Sequence, residues 1–216
     1  PSVEVKAERK SVGPISIIRM TISPKSYFRR TRQHIREDAT DLAVLWFVKS
    51  GSLGLSNQCG NKVAHPGDFA ITRSMSPFLI ECNVDGEGVN QTLHVTVPTH
   101  ILRAHITRDF DTGLFLHCER PEMAIAENLF TDVFEDDGNL TPDSARALVD
   151  CALQIIGHAV KADSDGIATR QTIADRRLEE VLRFIEVHLS DPQLSTTMVA
   201  RGCGISPRYL SFLLRL

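Results

Sequence analysis

The stretch RRLEEVLRFIEVHLSDPQLSTTMVARGCGISPRYLSFLLRL, Arg176 to Leu216, decides the reading of this chain. Leu178, Val181, Leu182, Ile185 and Leu189 recur every three or four residues, which puts them on one face of an amphipathic helix. Ser190-Asp191-Pro192 stops that helix, because a proline disfavours helical geometry at the residue before it. Ser195 suits the N-cap of a short second helix through Met198, Val199 and Ala200. Gly202 and Gly204 end it by supplying the left-handed backbone of a tight turn. Ser206-Pro207 then opens a third helix, with serine as N-cap and proline at the first helical position.

Two short helices joined by a glycine turn make a helix-turn-helix. The spacing fits: Ala200 is small where the helices approach, Gly204 follows in the turn, and Leu210 falls on the buried side. In such a unit the second helix, here Pro207 to Arg215, enters the major groove of DNA. From Pro192 to Leu216 the chain carries Arg201, Arg208 and Arg215 and no acid, a balance that suits a phosphate backbone. An ordinary helical hairpin with solvated arginines is the alternative.

The run Leu194-Ser195, Val199-Ala200 and Gly204-Ile205-Ser206-Pro207-Arg208-Tyr209-Leu210 resembles the first helix-turn-helix of the AraC/XylS family of bacterial transcription regulators. The resemblance implies two such units in an intact protein. Only the first is present before the chain stops at Leu216 inside a helical pattern, which we read as a truncation. Helical spacing and the resemblance together assign base contacts to Arg208, Ser211 and Phe212, and phosphate contacts to Ser195, Arg201 and Arg215. One position departs from the family pattern: Phe212 stands where a basic residue is common, and Leu214 where Phe is. Phe212 can touch a thymine methyl but cannot form a bidentate pair with guanine.

Composition agrees with a globular regulator. Of 216 residues, 42% are hydrophobic and 24% charged, ordinary for a folded chain of one to two domains. The net charge of −3 excludes a polycation. Residues 166–216 carry seven Arg and five acids, whereas residues 1–165 carry 17 basic and 22 acidic residues. A slightly acidic body with a basic end fits DNA binding through the tail. The five cysteines (Cys59, Cys82, Cys118, Cys151, Cys203) are scattered and form no CxxC, which argues against a zinc finger or disulfide framework. No apolar run nears a membrane span, so a cytoplasmic protein without membrane contact is expected.

Residues 1–97 read as short strands: Ile15–Ile22, Tyr27–Arg32, Leu42–Val48, Leu53–Leu55, Lys62–Ala64, Phe69–Ile71, Phe78–Cys82 and Leu93–Val97. Ser23-Pro24, Ser50-Gly51, Cys59-Gly60-Asn61, Pro66-Gly67-Asp68, Ser76-Pro77 and the Asp85–Gly88 tetrapeptide separate them. Leu42–Val48 is apolar on both faces and should be the most buried strand. In Gln91–Val97, Leu93, Val95 and Val97 oppose Thr92, His94 and Thr96, giving one apolar and one polar face. Gly51-Ser52-Leu53, Gly60-Asn61 and His65-Pro66-Gly67-Asp68-Phe69 resemble the cupin-like sensory domain that precedes the DNA-binding part in the same family. The expected fold class is α+β: a cupin-like β-barrel or sandwich (1–97), a helical dimerisation hairpin packed on it (98–165), a linker (166–175) and an incomplete DNA-binding domain (176–216).

Cupin barrels often hold a metal through His-x-His, a carboxylate and a further His. The eight histidines, His34, His65, His94, His100, His105, His117, His158 and His188, never pair as HxH. No metal, cofactor or catalytic residue is therefore expected. The resemblance implies instead a small effector in the barrel, with Phe28, Arg30, His34, Trp46 and His94 as candidate contacts; Arg30 could pair with an anion. A solvated strand end for Arg30 and a core tryptophan at Trp46 are the plain alternatives.

From Pro98 the pattern turns helical. Thr99 can cap a helix through Leu102 and Ile106. Glu122–Phe134 carries a wide apolar stripe, Asp136–Asn139 breaks it, and Thr141-Pro142 starts another helix. Lys161–Gly166, polar and short, reads as the start of the linker. The family dimerises through helices in this position, so a homodimer is expected, with DNA, a small-molecule effector and RNA polymerase as partners of an intact activator. A cupin-type metal enzyme and a pure dimerisation module are the competing readings.

Overall fold

The computed structural model describes residues 4–57, 60–116, 121–170, 173–189 and 194–214. Cys59, His117, Cys118, Ser190-Asp191-Pro192 and Arg215 lie outside the described residues. The chain divides into two compact units, Pro1–Asp163 and Ser164–Leu216. No helix among the described residues is long and apolar enough to cross a membrane.

The first unit is a barrel of two antiparallel sheets. One sheet runs β1 (Glu4–Val12), β2 (Ile15–Ser23), β9 (Asn90–Pro98), β4 (Leu42–Ser50), β7 (Phe69–Arg73) and β10 (Leu114–Leu116); the other runs β3 (Ser26–Arg30), β8 (Phe78–Asn83), β5 (Ser52–Asn57) and β6 (Gly60–Ala64). All eight expected strands are present. β1 was not expected, because it is an edge strand with nearly every side chain exposed, so no apolar alternation marks it. The three-residue β10 is too short to leave a pattern.

The expected strand Tyr27–Arg32 ends early. After Arg30 the chain enters α1 (Arg32–Asp38), where Thr31 caps the helix and the Thr31 N–H donates back to His34 Nδ1 at 3.3 Å. Left-handed Ala39 closes the helix. That reciprocal cap, made by His at the third helical position where Glu or Gln is usual, hid the helix.

Side-chain alternation splits β4 between two cores. Ala43, Leu45 and Phe47 join Leu93, Val95 and Val97 of β9 and pack under the helices α2 (Thr99–His105), α3 (Pro121–Glu135) and α4 (Pro142–Arg170). Trp46 and Val48 point the other way, to Leu53, Leu55, Ile80 and Cys82 of the second sheet. The strand read as apolar on both faces is thus buried on both. The helical stripes are consumed by this packing: Phe130, Val133, Leu153 and Ile156 are fully buried, each worth roughly 1.5–3 kcal/mol of apolar burial. On α3 and α4, Ile125 is the large apolar residue left exposed among those described, at 51%.

One local expectation is corrected. Thr99 does not cap α2: Pro98 is the N-cap, and the Thr99 hydroxyl bonds Asp41 Oδ1 at 2.6 Å. Lys161–Gly166, read as the start of the linker, is helical, since α4 runs through it to Arg170, and the division between the two units falls within it. Its Lys, Ala, Asp and Ser residues are compatible with helix, and one interior glycine costs only ~1 kcal/mol.

The second unit holds α5 (Ile173–Val187), α6 (Thr196–Gly202) and α7 (Pro207–Leu213) around Val181, Val199, Ala200, Leu210 and Leu213. Leu178 and Ile185 pack partly against this core. Leu182 and Leu189, read as part of the same face, are 46% and 72% exposed. Two helices of seven residues cover only a narrow stripe of α5.

Candidate functional site

In the second unit the caps form as their side chains dictate. Ser195 Oγ accepts from the Met198 N–H at 3.3 Å, and Ser206 Oγ accepts from the Tyr209 N–H at 3.2 Å. Gly204 takes φ 64° in the turn, the left-handed region expected of it. Gly202 plays a different part. It ends α6 against Phe184, where a Cβ would lie 2.3 Å from two ring carbons. Close approach, not turn geometry, is what requires glycine there.

α7 buries Leu210 and Leu213 and exposes Arg208, Ser211 and Phe212. The exposed three sit at i, i+3 and i+4, one face of a helix. Phe212 is 53% exposed and stacks on Tyr209 with centroids 6.0 Å apart and planes 14° apart. The Ser211 hydroxyl donates to the Pro207 carbonyl at 3.0 Å and still has lone pairs free to accept. Arg201 is exposed in the last turn of α6. Ser195 is exposed, its oxygen engaged in the cap. The stack of Phe184 on His188, centroids 4.1 Å apart, was not read from the sequence; their four-residue spacing on one helix was the available signal.

In the barrel the structure brings Trp46 and His94 together as cross-strand partners. Their rings meet edge-on at 4.8 Å, and Trp46 Nε1–H donates to Thr72 Oγ1 at 2.9 Å. Burial pushes the His94 imidazole down to about 4, so it is neutral near pH 7. The polar face of β9 therefore points into the barrel: Thr92 Oγ1, His94 Nδ1 and Asn90 Oδ1 are buried there without a hydrogen-bond partner. Asn90 Nδ2 donates to the carbonyls of Ser52 and Asn83, tying the two sheets at one end.

The other three expected contacts lie elsewhere. Phe28 faces the same side of its sheet as Ile80 but, on an edge strand, is 39% exposed. His34 belongs to the α1 cap. Arg30 is held by Asp38 through two bonds, 2.9 and 2.7 Å, and by the Ser74 carbonyl. The Arg30 guanidinium, then the Thr40 N–H, keep the Asp38 carboxyl below its ordinary value. Arg30 also lines a cleft of about 460 Å³ with Arg29, Thr31, Arg32, Phe78 and Leu79. Arg29 and Arg32 were missed; the run Arg29-Arg30-Thr31-Arg32 in an otherwise acidic segment was the signal. Among the described residues no three His, Cys, Asp or Glu side chains group as metal ligands would.

No protein-family model matches this sequence, and no curated protein matches it. Among solved structures, the chain is similar to the AraC-like transcriptional activator CuxR, at 18% identity over 99% of this chain and 80% of that one, with a TM-score of 0.60. It is also similar to a cupin conserved-barrel protein of Salinispora arenicola, at 14% identity over 43% of this chain and 74% of that one (TM-score 0.32). A third is the cupin domain of an XRE-family transcriptional regulator of Enterobacter cloacae, at 8% identity over 43% and 94% (TM-score 0.34). The chain shares its fold with that activator: a barrel of two antiparallel sheets, followed along the chain by a helix-turn-helix.

Proposed function

We propose that this chain is the sensory part and first reading head of a ligand-responsive transcription regulator. The observation that carries the proposal is the face of α7. Arg208, Ser211 and Phe212 stand exposed on one side while Leu210 and Leu213 hold the helix to its core. That is the arrangement a recognition helix needs: base-reading side chains outward, with Arg201 and the first turn of α6 near the phosphates. A ligand of the barrel domain then shifts DNA binding through its different affinities for two arrangements of the protein. The role is binding and not catalysis. Homodimerisation, contact with RNA polymerase and activation of transcription go with it.

Operator binding by the intact regulator tests the recognition helix. Arg208→Ala should weaken binding by ~1–3 kcal/mol and relax specificity at one base. Unchanged affinity would remove Arg208 from base readout. Thermal unfolding against a metabolite panel, with divalent metals in the same plate, tests the sensor. A ligand at about a hundred times its dissociation constant adds roughly 2.7 kcal/mol. A response to metal alone would favour the enzyme reading instead.

A further inference from the structure

We propose that the effector site is the arginine-lined cleft at the corner of β3 and α1, and that its ligand is an organic phosphate with at least two negative charges. This deepens the regulator reading and rests on it for its biological role.

The corner concentrates positive charge that the protein itself leaves unanswered. Arg29, Arg30 and Arg32 line the cleft of about 460 Å³, and Arg32 and Arg36 line an adjoining one that shares Pro77. Arg30 is committed to Asp38. Arg29, Arg32 and Arg36 are exposed and make no ion pair among the described residues. Elsewhere in the same unit Arg19 holds Glu135, Arg73 and Arg103 hold Asp111, and Arg108 holds Asp163, whereas Arg9 and Arg146 are exposed and make no ion pair among the described residues either. Acid is not scarce, since residues 1–165 carry 22 acidic against 17 basic residues. Three unpaired guanidiniums within eight residues repel one another and are relieved by an anion.

The ligand's chemistry follows from the lining. Guanidinium forks bind phosphate and carboxylate bidentately, and three of them match a ligand of two or more charges better than a single carboxylate. Pro77, Phe78 and Leu79 form an apolar wall beside the arginines, room for an organic group. The volume lies in the range of small-molecule sites. Toward the barrel interior stand Trp46, Val48, Leu53 and Ile80, none of which can answer an anionic charge. Arg30, locked by Asp38 and the Ser74 carbonyl, anchors the corner.

Calorimetric titration of the full chain at near-physiological salt tests this, with pyrophosphate as the minimal probe. Saturable binding is expected, with Arg29→Ala and Arg32→Ala each weakening it at least tenfold. Lys62→Ala, an exposed cation of the same sheet, should leave it unchanged. Both arginines are exposed, so the variants should melt as the parent does. ADP and GDP should bind more tightly than pyrophosphate if the apolar wall holds an organic group. Equal or weaker nucleotide binding from both would overturn that half and leave a site for inorganic phosphate. Citrate matching pyrophosphate overturns the choice of phosphate. No pyrophosphate binding, or binding that survives both substitutions, overturns the site. Operator binding by the intact regulator is measured separately: its absence beside intact pyrophosphate binding sinks the regulator reading and leaves the cleft, and the reverse sinks the cleft alone.

Discussion

His94 shows how one buried side chain records pH. Its imidazole is held near 4 by burial, against about 6.5 in an unfolded chain. Between those values the unfolded state binds the proton and the folded state does not, so stability falls as pH falls from 6.5 to 4 and levels off below. The loss is about 3 kcal/mol. Urea unfolding at a series of pH values should show it, and His94→Leu should remove that part of the slope. Cys82, in the same interior, is pushed up to about 11 and stays a neutral thiol across the window. The carboxyls of Asp38, Asp41 and Asp85 are held below their ordinary values, so their contribution is lost further down. A His94→Leu profile parallel to the parent's would show that another group titrates. Thr72 makes a second test. Thr72→Val keeps the volume but strips the partner from the buried Trp46 N–H, and should cost ~1–3 kcal/mol in the same assay. Neither contact was legible in the sequence. Trp46 and His94 are 48 positions apart in the chain, and pairing depends on which strands β4 chooses as neighbours.

At the level of elements, two glycines set opposite terms against each other. Alanine favours helix over glycine by ~1 kcal/mol, so Gly→Ala inside a helix often stabilises. At Gly157 of α4 a Cβ would lie 2.3 Å from the His105 carbonyl oxygen, which is backbone and cannot swing aside. Gly157→Ala should therefore lower the melting temperature, the steric cost of ~1–3 kcal/mol outweighing the propensity gain. At Gly202 the obstacle is the Phe184 ring, which is partly buried against the core of the second unit. Gly202→Ala should loosen the helix-turn-helix in hydrogen exchange without touching the barrel. Protection unchanged at α6 would mean that the ring moves freely. The caps at Ser195, Ser206 and Thr141 were legible because capping is local: one side-chain oxygen, one amide, three residues apart. The α1 cap and the true role of Gly202 were not, since each depends on an unusual partner.

Across the whole molecule, the two units differ in how much they bury. The first has two extended cores, whereas in the second the described residues give five buried side chains, two of them valines and one an alanine. Small cores are marginal. The amides of α5 to α7 should exchange at lower free energy than those of β4 and β9, and calorimetry should resolve a weaker transition before the main one. A single transition with uniform protection would contradict separate units. Light scattering at roughly ten-micromolar concentration checks the expected homodimer; the helical stripes that suggested it are spent on packing against the sheet, so a dimer must form through other surface.

Local pattern in the sequence by itself determined most of the elements: eight of the ten strands, the helical stripes, the caps at Ser195, Ser206 and Thr141, and the glycine turn of the helix-turn-helix. Those signals are local, carried by residues within a few positions of each other. Tertiary structure alone decided which face of β9 was interior, that the polar Thr92 and His94 face the barrel, and that the effector candidates divide between a buried core and an arginine-lined rim. Those outcomes turn on strand order and sheet closure, which bring Trp46 to His94 and Arg29 to Leu79 across long stretches of chain. No short-range pattern encodes such neighbours, because burial is shared between residues that the sequence keeps apart.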